Sequence, residues 1–208
     1  MRLFGLNGLG YAVMAIALLG GGVSTAFAQE PKNSINVELA AIPPILDLGA
    51  SAGMLEYERL LGSKLSLFVR AAYFKYKFDD DDNVEDGHGT GLGVGVRFYP
   101  SNGMKGFYVG GLISSFKSKW DFTSDKGQSF ESRGTGDTTS IQWGAEVGYR
   151  FSLGPRVSLT PAINVGSWVG ADTTCSYNFP PGRVGQPCSK DSELGFYSVA
   201  SVALGIKF

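Results

Sequence analysis

From residue 34 onward the chain alternates apolar and polar residues with a period of two. The clearest run is Ile141 to Phe151. One parity holds Ile141, Trp143, Ala145, Val147, Tyr149 and Phe151, and the other holds Gln142, Gly144, Glu146, Gly148 and Arg150. Successive side chains of a β-strand point to opposite faces, so this run reads as a strand with one apolar and one polar face. The same split recurs at Val157, Leu159, Ile163, Val165 and Val169 against Arg156, Ser158, Thr160 and Asn164. It recurs again at Leu92, Val94, Val96 and Phe98 against Gly93, Gly95 and Arg97, and at Ile35, Val37 and Leu39 against Asn36 and Glu38.

The pattern predicts strands over 34–42, 50–60, 64–77, 90–99, 106–118, 138–151, 156–170 and 194–208. Their connections alternate in length. Leu61-Gly62-Ser63, Ser101 to Lys105 and Ser152-Leu153-Gly154-Pro155 are tight turns. Between them, 78–89, 119–137 and 171–193 read as long polar loops rich in Gly, Asp and Ser. An even strand number, with short turns at one end and long loops at the other, is the layout of an outer-membrane barrel. The expected strand lengths also suit a tilted crossing of the hydrocarbon layer. The expected fold is therefore all-β, an eight-stranded antiparallel up-and-down transmembrane β-barrel.

Composition agrees and removes other classes. The chain has 30 glycines, 12% aromatic and only 18% charged residues, which favours β-structure with many turns. A formal charge of −1 provides no basic footprint, so nucleic acid is not an expected partner. One histidine and two cysteines are too few for most zinc or iron–sulfur sites, and no cofactor or metal is expected.

The first 28 residues read as a cleaved signal peptide. Arg2 supplies a positive start, Tyr11 to Leu19 a short apolar core, and Ala26-Phe27-Ala28 the small-x-small cleavage pattern. A buried N-terminal helix would be ended by Gly20-Gly21-Gly22. The expected organisation is a signal peptide over 1–28 and one barrel domain over 29–208.

Alternation alone leaves open which face points outward, because a soluble barrel uses the same pattern turned inside out. Three features favour lipid outside. Glycines crowd the polar parity (Gly93, Gly95, Gly144, Gly148, Gly166, Gly205), where they would make room for Arg and Glu inside a narrow barrel. Tyr57, Phe98, Phe107, Tyr149, Phe151 and Phe208 fall on the apolar parity near the short turns, where an interfacial girdle belongs. The last strand also runs to a terminal aromatic residue.

Tyr197 to Phe208 (YSVASVALGIKF) resembles the terminal signature of Gram-negative outer-membrane proteins, with Phe208, Ile206, Leu204 and Val202 in the alternating apolar places. With the Leu55-Glu56-Tyr57-Glu58-Arg59 and Gly106-Phe107-Tyr108-Val109-Gly110-Gly111 strands, the chain resembles the outer-membrane β-barrel superfamily. That superfamily includes the transmembrane domain of outer-membrane protein A and the opacity-type surface proteins. The resemblance implies location in the cell outer membrane and contact with outer-membrane lipid and lipopolysaccharide. It also implies recognition of Phe208, Ile206 and Leu204 by the outer-membrane assembly machinery. No peptidoglycan-binding domain follows the barrel, so the two-domain form is not expected.

Four groups of residues are candidate sites. Glu38, Glu56, Glu58 and Glu146 share the inward parity with Arg70, Arg97, Arg150 and Lys207, four acids against four bases. They read as an interior plug, since unpaired buried charge is costly, with a polar pore or proton path as the competing reading. Asp79 to Gly87 offers hard oxygens for calcium but lacks the ligand spacing of an EF-hand loop, and reads as a solvated loop. His88 is the sole histidine, stands without the serine that lipid A deacylases place beside theirs, and is not expected to be catalytic. Cys175 and Cys188, with 12 residues between them among prolines and glycines, read as a loop disulfide in an exported protein.

The expected function is a non-enzymatic one. The protein would be an integral outer-membrane barrel with a plugged interior whose long loops contact lipopolysaccharide, a host surface or another envelope protein, in an adhesin-like or envelope-stabilising role. The alternative is a narrow channel or transporter, or an enzyme that modifies lipid A.

Overall fold

The computed structural model describes residues 31–41, 49–79, 83–101, 103–124, 131–178 and 195–208. The expected signal peptide lies outside them. Eight strands follow in chain order: β1 (Asn33–Ala41), β2 (Gly49–Leu60), β3 (Leu65–Asp79), β4 (Asn83–Phe98), β5 (Gly106–Ser124), β6 (Ser132–Ser152), β7 (Val157–Asn178) and β8 (Phe196–Lys207). Each pairs antiparallel with its sequence neighbours, and β8 closes on β1. At the seam the Asn33 N–H donates to the Phe208 carbonyl (3.0 Å) and the Phe208 N–H to the Asn33 carbonyl (2.9 Å). No strand is left with an open edge, which satisfies the backbone without water.

The faces divide as a membrane requires. Outward residues of the alternating runs are apolar and exposed, such as Leu92 at 67% and Val94 at 48%, while inward Arg97 and Glu146 are each 2% exposed. Tyr57, Phe98, Phe107, Tyr149, Phe151 and Phe208 are all exposed on the outer face near the short turns. A soluble barrel would show the reverse. An exposed apolar band around a closed eight-stranded ladder makes this an integral outer-membrane barrel.

The long connections differ from expectation. β4 begins at Asn83, β5 runs to Ser124, β6 begins at Ser132 and β7 runs to Asn178. Much of 78–89, 119–137 and 171–193 is thus ladder, not loop. β5, β6 and β7 reach 19, 21 and 22 residues, about twice the 9–11 that a tilted crossing needs. Beyond the lipid no apolar face is required, so the alternation that betrays a strand disappears while the backbone pairing continues. Residues 80–82, 125–130 and 179–194 of those connections lie outside the described residues.

At the opposite end the β4–β5 turn folds inward. The Tyr99 N–H donates to the Lys64 carbonyl (2.7 Å) and the Gly103 N–H to the Ser63 carbonyl (2.8 Å), tying this turn to the β2–β3 turn. Gly103 and Gly106 take φ of 78° and 76°, a left-handed backbone that glycine adopts without strain. The fold-back buries Met104 with Leu60, Tyr99, Tyr108 and Ala162 in an apolar cluster at the short-turn end.

Candidate functional site

The lumen above that cluster holds a connected charge network, brought together by inward positions of β1, β2, β3, β4 and β6. Arg97 is its hub. Its Nη1 donates to Glu56 Oε1 (2.6 Å) and Glu58 Oε2 (2.8 Å), its Nη2 to Glu56 Oε2 (2.9 Å), and its Nε to Glu146 Oε1 (2.6 Å). Arg70 joins Glu56 (2.7 Å), Glu146 (2.8 Å) and Glu38 (3.3 Å). Arg150 reaches Glu58 Oε2 (2.7 Å) and donates through Nε to Thr160 (3.2 Å). Neutral donors complete the set: Ser66 (2.5 Å) and Tyr99 (2.8 Å) donate to Glu58, and Asn36 (2.9 Å) donates to Glu56.

Lys207 also faces the lumen, where its ammonium donates to Ser152 Oγ (2.9 Å), while three guanidiniums bridge the carboxylates of the network. This suits their chemistry. A planar guanidinium with five donors can bridge several carboxylates at once, whereas an ammonium is a compact point charge. Aromatic faces add to the hold on Arg97, whose guanidinium carbon lies 4.3 Å from the Phe68 ring centroid and 4.9 Å from that of Tyr108.

Rings, which periodicity did not assign a role, explain most of the inward glycines. A Cβ at Gly95 would strike Phe68, one at Gly148 would strike Tyr108, and one at Gly144 or Gly166 would strike Tyr197. The expectation that these glycines clear space for Arg and Glu is corrected accordingly: at all four a ring, not a charge, needs the space, alone at Gly148 and together with a backbone carbonyl at Gly95, Gly144 and Gly166. Gly205 abuts Asn36 and Ser158, Gly93 abuts Ser114, and only Gly110, which was not among those glycines, abuts the Arg97 stem. The scheme continues above the charges, where Gly89, Gly91 and Gly136 lie under Phe74, Phe116 and Trp120. Inward glycine and inward aromatic fall opposite one another in adjacent strands, as at Phe68↔Gly95 and Tyr108↔Gly148, a match that needs the strand register.

The other candidates spread over the rim. Asp79 ends β3, where it accepts from Lys77 (2.8 Å), and Glu85 lies in β4, where it accepts from Tyr76 (2.8 Å). Burial, reinforced by the Glu85 bond, pushes the Tyr76 phenol well up. Asp79 and the residues from Asn83 to Gly87 are therefore paired strand and not loop, residues 80–82 lie outside the described residues, and no metal-binding cluster occurs among the described residues. His88 is exposed on the outer face of β4, paired in register with Lys75 and Lys119. Cys175 lies on the raised part of β7 opposite Gly136, and Cys188 lies outside the described residues. Leu204 and Phe208 stand exposed on the outer face, and Ile206 shares their parity opposite Ile35.

A closed ladder, a lipid-facing exterior and an ion-paired lumen define the class: a small outer-membrane β-barrel. Solved structures show the same fold. CarO2 of Acinetobacter baumannii is 11% identical, with 86% of this chain and 100% of that chain covered at a TM-score of 0.52. CarO of the same organism is 10% identical, with 86% and 98% covered at a TM-score of 0.51. Within that class, the family described as "Protein of unknown function (DUF3575)" matches residues 45–204, and the chain belongs to it. No curated protein sequence matches the chain.

Proposed function

We propose that the protein is a non-conducting, non-enzymatic barrel that anchors a raised rim at the cell surface, in an adhesin-like or envelope-stabilising role. One observation carries the reading. The same lumen that Arg97, Arg70 and Arg150 cross-link at mid-height is also closed by Tyr99, Met104 and Tyr108 at the short-turn end. The strands that leave the membrane instead invest their length in β5, β6 and β7, a platform for contact with a host surface or another envelope protein. The short turns face the periplasm and the rim faces outward. Purified barrel in planar bilayers should give no stepwise conductance, and reproducible channel steps would overturn the closed-lumen reading in favour of a transporter. Lipid A recovered from overexpressing cells should keep its mass, and a changed acyl or head-group mass would argue for the enzyme alternative.

Cys175 and Cys188 close a ring within the rim, which rigidifies the contact surface. Peptide mapping without reductant should recover them as one linked pair, and an alkylated free thiol at either position would remove this part of the proposal. Deleting the aromatic side chain of Phe208 should slow assembly in cells more than refolding in detergent, because the residue serves both recognition and seam packing.

A further inference from the structure

The outer face of the barrel changes character abruptly on β3, β4 and β5. The row Val69↔Val94↔Ile113 is apolar and exposed. Two residues further up, Ala71↔Leu92↔Ser115 still includes Leu92. The next outward rows are Tyr73↔Thr90↔Lys117 and Lys75↔His88↔Lys119. Two lysines thus flank His88 in one hydrogen-bonded row, with Lys117 directly below Lys119 on the same face. Lys117 and Lys119 are like charges on one face of the same strand, and such neighbours repel unless an anion lies between them.

Of the lysines in these rows, the local acids among the described residues reach only Lys119. Asp79 takes Lys77 (2.8 Å), and Asp137 lies 3.9 Å from Lys119. Asp86 and Asp121 stand one row higher, opposite each other and beside Lys77. Among the described residues no carboxylate forms an ion pair with Lys75 or Lys117, and Lys75 leans over the Tyr73 ring at 5.9 Å. These two lysines flank β4, whose Thr90 and His88 form the floor between them. Followed onto β6 and β7, the same two rows hold Thr139 and Asp172, then Asp137 and Thr174, with no cation. The basic patch is one-sided.

We infer that Lys75, His88, Thr90, Lys117 and Lys119 bind the phosphate of a lipid head group in the leaflet around the rim. The patch begins within one residue pair of the apolar band, at the depth where head groups lie, and it opens sideways toward lipid instead of upward to water. A free phosphate would find a flat, exposed face, whereas a lipid brings its acyl chains against Val94 and Ile113 at the same moment. The inference rests on the reading that the rim end lies in the outer leaflet.

The test uses the whole chain, folded in detergent micelles and titrated with bisphosphorylated lipid A or with the same lipid stripped of both phosphates. K75Q/K117Q should weaken binding of the phosphorylated lipid by about 30-fold, at about 1 kcal/mol for each lysine near the surface. K64Q/K105Q removes the same charge from the short-turn end and should change binding by less than about twofold. The stripped lipid should bind the wild-type chain and K75Q/K117Q equally weakly. The shift in gel mobility on boiling shows for each variant that the barrel is folded. Equal affinity of K75Q/K117Q and wild type for the phosphorylated lipid would overturn the proposal. So would equal weakening by both double variants. A wild-type chain that stays soluble and monomeric without detergent would instead overturn the membrane reading on which the proposal rests.

Discussion

The two halves of β6 obey different rules although one continuous ladder runs through both. From Ile141 to Phe151 each outward residue is apolar, and the inward ones are Gln142, Gly144, Glu146, Gly148 and Arg150. From Ser132 to Ser140 the outward residues are Arg133, Thr135, Asp137 and Thr139, and the inward ones are small. The change coincides with a register irregularity between Ser140 and Ile141 against β7. In the lower half the solvent on one side is lipid and the interior must neutralise its own charge. In the upper half water lies outside, so only the backbone pairing and ring-on-glycine contacts are needed. The difference teaches that strand formation and membrane burial are separate demands here, and that only the second one writes an apolar stripe into the sequence.

Substitutions can break or sharpen that contrast. The largest effect should come from Arg97→Met, which leaves the buried Glu56, Glu58 and Glu146 without their shared partner. A loss of about 3–5 kcal/mol is expected in urea unfolding from lipid vesicles. Arg133→Met, in the upper half of β6 with its side chain 74% exposed, should lose less than about 1 kcal/mol. Similar losses at both positions would mean that the lumen is wet and screened.

Next in size is a charge on the outer face. Val94→Arg should cost about 2–4 kcal/mol in the same assay, because it places a guanidinium in the hydrocarbon. Thr135→Arg, on the outer face of the raised part of β6, should be close to neutral. If Val94→Arg were equally harmless, the apolar band would not be facing lipid.

The smallest effect separates crowded glycines from open ones. Gly95→Ala forces a methyl group against Phe68 and the Gly111 carbonyl and should cost about 1–3 kcal/mol. At Gly53 a Cβ meets nothing within 4 Å, so Gly53→Ala should be neutral or stabilise by up to about 1 kcal/mol through the unfolded chain. Equal costs at the two positions would show that the ring packing over Gly95 contributes nothing.

Alternation in the sequence sufficed for the strand count, the antiparallel order and the identity of the inward acids and bases, because lipid outside and charge inside force a period of two. It was silent where that force stops. The raised parts of β4 to β7 carry Thr, Ser, Gly and Asp whether they are loop or ladder, and pairing with a distant strand decides between the two. The same holds for the lumen. Parity placed Lys207 beside the arginines, but the position of each strand around the barrel gave it Ser152 as a partner and let Arg97 reach three acids. Inward glycines were visible one by one, whereas the rings lying on them come from neighbouring strands and could be matched only once register was known. Composition and periodicity are properties of one strand against its surroundings. Bridging by Arg97, the apolar cluster around Met104 at the short-turn end and the one-sided basic patch on β3 to β5 are properties of several strands at once. Those had to wait for the closed barrel.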